Sequence, residues 1–94
     1  MINDLKAIAV FAETAKHGSF RAAATTLGLS PSVVSYQISQ LEARLGTALL
    51  YRSTRKLTLT SEGESLYKQA QLMVSAAKTG IEQVSGKQKH LQDT

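Results

Sequence analysis

Apolar residues recur at three and four spacing in four stretches of the chain, and one further stretch reads as two short strands. Asn3 is placed to cap a first helix, with Asp4 in its first turn. Leu5, Ile8, Ala12 and Ala15 give its apolar face, with Phe11 beside them. Lys16 and His17 fall in the last turn, where cations suit the helix dipole, and Gly18 ends the helix. Ser19 caps a short second helix whose inner face is Phe20, Ala23, Ala24 and Leu27. Gly28 closes it, and Leu29 points back into the core. Ser30 and Pro31 open a third helix, because Ser is a favoured cap and Pro lacks only an N–H that has no partner there. Val34, Ile38, Leu41 and Leu45 form its stripe, and Gly46 stops it.

Leu49-Leu50-Tyr51 and Leu57-Thr58-Leu59 are strand formers around Arg52-Ser53-Thr54-Arg55-Lys56, which predicts a hairpin with a basic tip. Thr60 or Ser61 caps a last helix, and Ser61 with Glu64 would make a capping box. This helix is expected to reach the high 80s and to fray over the polar residues Gly86 to Thr94, with Gly80 a weak point inside it. Leu66, Ala70, Met73 and Ala77 lie on one seam. Tyr67, Val74 and Ile81 form a neighbouring row at sevenfold spacing, followed by Val84. Such a seam can be the core of a monomer. A helix that projects past a small body has nothing of its own to cover it, which favours a homodimer paired through this helix.

A chain of 94 residues fits one small domain with a thin core. It divides into a body over 1–60 and a linker helix over 61–94. The absence of Cys removes thiol nucleophiles and zinc fingers and favours a reducing cytoplasm. The longest apolar run, Ala7 to Ala12, is far short of the ~20 residues of a membrane span. The net charge of +4 lies wholly in residues 1–60, with seven basic against three acidic side chains; residues 61–94 balance at four of each. A basic body with a neutral tail points to an anionic partner such as nucleic acid. His17 and His90 are the only histidines, too few for a metal site without further ligands, and Glu62 and Glu64 suit a helix N-terminus. Tyr51 and Tyr67 read as packing residues. No metal or cofactor is expected, and no constellation supports an enzyme.

The informative unit is the second helix, the turn Leu27-Gly28-Leu29-Ser30 and the third helix. Ala23 and Ala24 allow two helices to cross closely, Gly28 tolerates positive φ, and Val34 and Ile38 anchor the inner face. The outer face carries Ser32, Ser35, Tyr36, Ser39 and Gln40, with Gln37 at its margin, and no charged residue stands between Gly28 and Leu41. Hydroxyls and amides suit hydrogen bonds to base edges and phosphates, and Val33 suits a thymine methyl. A helical hairpin with a Gly turn also occurs in many proteins, and a Ser- and Gln-rich face is also ordinary surface. A helical protein-interaction module therefore stands as one alternative and a MarR-like winged-helix regulator as another. The basic hairpin directly after the third helix favours a winged helix-turn-helix, mainly α, followed by a dimerising helix.

The runs Gly18-Ser19-Phe20-Arg21-Ala22-Ala23-Ala24 and Leu27-Gly28-Leu29-Ser30-Pro31-Ser32-Val33-Val34-Ser35 closely resemble the N-terminal domain of LysR-type transcriptional regulators. So do Gln37-Ile38, Leu41-Glu42 and Leu45-Gly46, then Leu49 through Lys56 and Leu59-Thr60-Ser61-Glu62-Gly63, so that the likeness spans about residues 3–70. It departs at Pro31, where the family often has Gln, at Tyr36, where it often has Arg or His, and at Leu49-Leu50, where it usually has Leu-Phe. The resemblance implies sequence-specific binding to double-stranded DNA, with the third helix in the major groove and the basic wing at the minor groove. Ser32, Val33 and Tyr36 are then the expected readers of base edges, and Ser30, Pro31 and Gln37 are also expected at the DNA. Ser19, Arg21 and Ser35 are expected at phosphates, and Arg52, Arg55 and Lys56 in the wing contact. The homodimer is expected through Leu66, Tyr67, Ala70, Met73, Val74, Ala77 and Ile81. Regulators of this kind also carry a C-terminal domain for a small-molecule inducer, so the chain reads as a fragment or a natural truncation without that effector-binding domain.

Overall fold

The computed structural model describes residues 2–53 and 56–93, and of 87–93 the backbone alone. Three helices come first: α1 (Ile2–His17), α2 (Phe20–Leu27) and α3 (Pro31–Leu45). A two-stranded antiparallel sheet follows, β1 (Leu50–Arg52) and β2 (Leu57–Leu59), with Leu50 opposite Leu59 and Arg52 opposite Leu57. The last element is α4 (Ser61–Asp93). It runs past the polar stretch from Gly86 where fraying was expected.

α1 is the central element, because α2, α3 and α4 all pack on it. Its buried arc is correspondingly wide: Ala7, Val10, Phe11, Ala12 and Thr14. The face read from the sequence was rotated from this one. Leu5 is exposed, Ile8 and Ala15 are half-buried, and Asn3 lies inside the helix rather than capping it. Thr14 survives at full burial because its hydroxyl donates to the Val10 carbonyl at 2.9 Å, inside the helix. In α3, Val34, Ile38 and Leu41 are fully buried, but Leu45 is half exposed. The chain leaves the helix at Gly46, and the next apolar groups in the core are Leu49 and Leu50.

The caps follow hydrogen-bond chemistry. The Ala22 N–H donates to Ser19 Oγ, and the Val33 N–H to Ser30 Oγ, each at 3.2 Å. Losing such a cap costs about 1 kcal/mol. Thr60, not Ser61, caps α4. Its Oγ1 accepts from the Gly63 N–H at 2.9 Å and donates to the Ala48 carbonyl at 2.7 Å. Ser61 sits within the helix with its hydroxyl on Glu62, so the expected capping box with Glu64 does not form. The Thr60 hydroxyl thus ties α4 to the segment that leads into the wing.

The first three turns of α4 belong to the body. Ala70 is buried, and Leu66 and Tyr67 pack on the core, the Tyr67 ring meeting Phe11 edge-to-face at 6.5 Å and 85°. From Ser75 to Gly86 every residue is exposed. The longest dimension of the molecule, 53 Å, therefore reflects the helix of 33 residues, about 50 Å at 1.5 Å per residue.

Candidate nucleic-acid interface

The turn between α2 and α3 sets their crossing. Gly28 holds φ 69°, and the Leu29 N–H behind it bonds the Ala24 carbonyl at 2.9 Å. Any L residue with a Cβ costs about 1 kcal/mol or more in this conformation. Ala23 and Ala24, both buried, keep α2 close to its neighbours. α3 is then fixed from below by Val34, Ile38 and Leu41 and shows its other face to solvent.

That face is continuous. Ser30, Pro31, Ser32, Val33, Tyr36, Ser39 and Gln40 are exposed, with Tyr36 at 64% and Val33 at 40%. Ser35 is half-buried at its edge. Gln37 is half-buried as well and lines a groove toward α1 with Asn3, Lys6 and Arg44, which Tyr36 and Gln40 of the exposed stripe also border. Ser30 Oγ is engaged as the cap and lies 3.2 Å from Ser32 Oγ. Ser19 Oγ is likewise engaged as an acceptor, and Arg21 beside it is exposed.

The wing is anchored to α3 by Glu42, which the sequence marks only as part of the resemblance. Glu42 Oε2 accepts from the Leu49 N–H at 2.7 Å and the Leu50 N–H at 3.2 Å, and Oε1 accepts from Arg52 at 3.3 Å. One carboxylate thus satisfies two backbone donors and a guanidinium. The available signal was that Glu42 is the first charged residue after Arg21. Arg52 is not at the hairpin tip but in β1, where it also donates to Ser35 Oγ at 3.3 Å and lies 5.3 Å from the Phe20 ring centroid. Through Arg52 the start of α2, the edge of α3 and the wing converge. Lys56 is exposed across the hairpin, and Ser53 Oγ donates to its carbonyl at 2.9 Å. Arg55, expected at the tip, lies outside the described residues.

The expected dimer seam divides in two. Leu66 and Tyr67, half-buried, and Ala70, buried, pack on the chain's own core. Met73 and Val74 are half-buried at the edge of the body, and Ala77 and Ile81 are exposed, as is Val84. Among the described residues no group of three His, Cys, Asp or Glu is placed to hold a metal ion, and no helix is long and apolar enough to cross a membrane.

The sequence profile of the "Bacterial regulatory helix-turn-helix protein, lysR family" matches residues 5–64. The chain belongs to this family. Residues 5–64 of this LysR-type chain are its helix-turn-helix DNA-binding domain, which sets aside the MarR-like alternative. It is 40% identical over 87 residues to the probable HTH-type transcriptional regulator LtrA of Klebsiella pneumoniae, covering 93% of the chain and 28% of the relative. It is 49% identical over 71 residues to the regulator PtxR of Pseudomonas aeruginosa, covering 76% and 23%. The chain thus spans about a quarter of the length of these relatives. Among solved structures it is similar to the BenM DNA-binding domain in complex with benA site 1 DNA. That match has a TM-score of 0.76 and 30% identity and covers 86% of this chain and 91% of that one. The complex of the CbnR DNA-binding domain with DNA matches with a TM-score of 0.74 at 29% identity, covering 88% and 95%.

Proposed function

We propose that this LysR-type domain binds double-stranded DNA sequence-specifically as a homodimer that regulates transcription in the cytoplasm. The observation that carries the reading is the exposed face of α3, uncharged from Ser32 to Gln40, rich in hydroxyls and amides, and fixed on a buried stripe beside a basic wing. A solvated helix face normally carries Lys or Glu. A face of Ser, Tyr and Gln loses little on drying against base edges and gains directional hydrogen bonds there. Ser32, Val33 and Tyr36 read bases from the major groove. Ser19, Arg21 and Ser35 hold phosphates. Arg55 and Lys56 bring cations to the adjacent minor groove, where a guanidinium suits a narrow A·T-rich stretch.

The dimer forms through the part of α4 beyond the body. Val74, Ala77, Ile81 and Val84 repeat at the a and d spacing of a heptad, with Ile81 and Val84 68% and 63% exposed. Two copies related by a two-fold axis require an operator of two inverted half-sites. A small-molecule inducer, as the family resemblance implies, would be read by a domain outside these 94 residues.

Binding-site selection from a random duplex pool tests this directly. The expected product is an inverted repeat, and selection with Tyr36→Ala should lose preference at one or two positions of each half-site, each worth about 1–3 kcal/mol. A pool that stays random with the wild-type chain would contradict sequence-specific binding.

A further inference from the structure

Arg52 is the residue whose placement departs most from its charge. A wing arginine is expected to reach for phosphate, yet this guanidinium is occupied on three sides. One of its terminal nitrogens donates to Glu42 Oε1 at 3.3 Å and the other to Ser35 Oγ at 3.3 Å, while the carbon between them lies 5.3 Å from the centroid of Phe20. Glu42 is itself held by the Leu49 and Leu50 N–H groups, and its side chain is only 17% exposed. Swinging Arg52 out to DNA would give up its bonds to Glu42 and Ser35 and its place over the Phe20 ring together. A guanidinium has no lone pair to accept with, so toward Ser35 it can only donate.

The consequence falls on Ser35. A hydroxyl oxygen that accepts from a cation must point its own proton elsewhere, and among the described residues no acceptor takes that proton. Ser35 stands one turn beyond Ser32 and beside Tyr36, at the edge of the exposed stripe on the side of the wing. Donation from a charged group also polarises the O–H and strengthens the bond it makes in turn.

We propose that Arg52 is a positioning residue for DNA binding: clamped by Glu42 and Phe20, it aims the Ser35 hydroxyl outward as a donor to a phosphate oxygen and does not itself touch DNA. This rests on the DNA-binding reading above. It also places Glu42, which no DNA atom would meet, one step further back in the same chain of bonds.

The test is a double-mutant cycle with the selected duplex, measured across a series of salt concentrations for the wild type, Ser35→Ala, Arg52→Gln and the double variant. Thermal melts identify the variants that fold. Each single change is expected to weaken binding about tenfold per half-site, as for one hydrogen bond involving a charged group in each protomer, and the double variant no more than either alone. The salt slope of Arg52→Gln should equal that of the wild type. If Arg52→Gln does not fold, Arg52→Met, which keeps an apolar stem against Phe20 and removes the donor, takes its place in the cycle. A slope reduced by about 1.8, about 0.9 for each of the dimer's two copies of Arg52, would mean that Arg52 is itself a phosphate contact, and this would overturn the proposal. So would losses that multiply to about a hundredfold per half-site in the double variant. A wild-type chain with no affinity for duplex DNA would overturn the underlying reading instead, so the two failures are distinct.

Discussion

A methyl group on Gly63 would run into the Leu49 carbonyl oxygen, a backbone atom. The same oxygen accepts from the Thr60 N–H at 3.0 Å, so the start of α4 is pressed against the entry to the wing. Neither side can yield without moving an element. Gly63→Ala should therefore destabilise the domain by about 2 kcal/mol or more, in the range of an overpacked core. Urea unfolding of Gly63→Ala and Gly86→Ala checks this, since a Cβ at Gly86 meets open space. Equal stability of Gly63→Ala and wild type would contradict the close approach. Gly63 stood in the sequence as part of a resemblance, with nothing local to mark it. A glycine needed for a neighbour's carbonyl carries no signal in its own segment. The caps at Ser19 and Ser30 and the turn at Gly28 were legible because their causes lie within three or four residues of them.

Among the elements, α4 combines two roles that its sequence does not separate. Its apolar rows run unbroken from Leu66 to Val84, but the half before Ser75 completes the body and only the rest stands free. Periodicity tells which residues share a face. It does not tell what covers that face, and the same limit explains the rotated reading of α1 and the exposure of Leu45. A helix packed on three sides has no single stripe, and a stripe continues past the point where its partner ends. The division of α4 makes a sharp expectation. Ile81→Glu should abolish dimers in sedimentation at micromolar concentration while leaving the unfolding of the body unchanged, because Ile81 touches none of it. Ala70→Glu should instead unfold the body, because Ala70 is 1% exposed in the single chain. Dimers that persist in Ile81→Glu would place the interface elsewhere.

At the scale of the whole molecule, the charge is divided as the work is divided. Residues 1–60 carry the whole excess of +4, and residues 61–94 are neutral. In the proposed dimer the neutral helix would bring two basic N-terminal parts together without adding repulsion along its own length. The two α3 faces and the two wings then act on one duplex, and affinity depends on phosphate contacts while discrimination depends on α3. These two terms separate experimentally, because only the first releases counterions. The decisive measurement is the affinity of the wild-type chain for its selected duplex and for a shuffled duplex of equal length, each titrated with salt. For both, log K should fall steeply with log salt, with a slope of roughly −5 for about six cation–phosphate contacts in a dimer. The selected duplex should stay tighter by on the order of a thousandfold at physiological salt. Equal affinity for the two duplexes, or affinity that does not change with salt, would contradict the account.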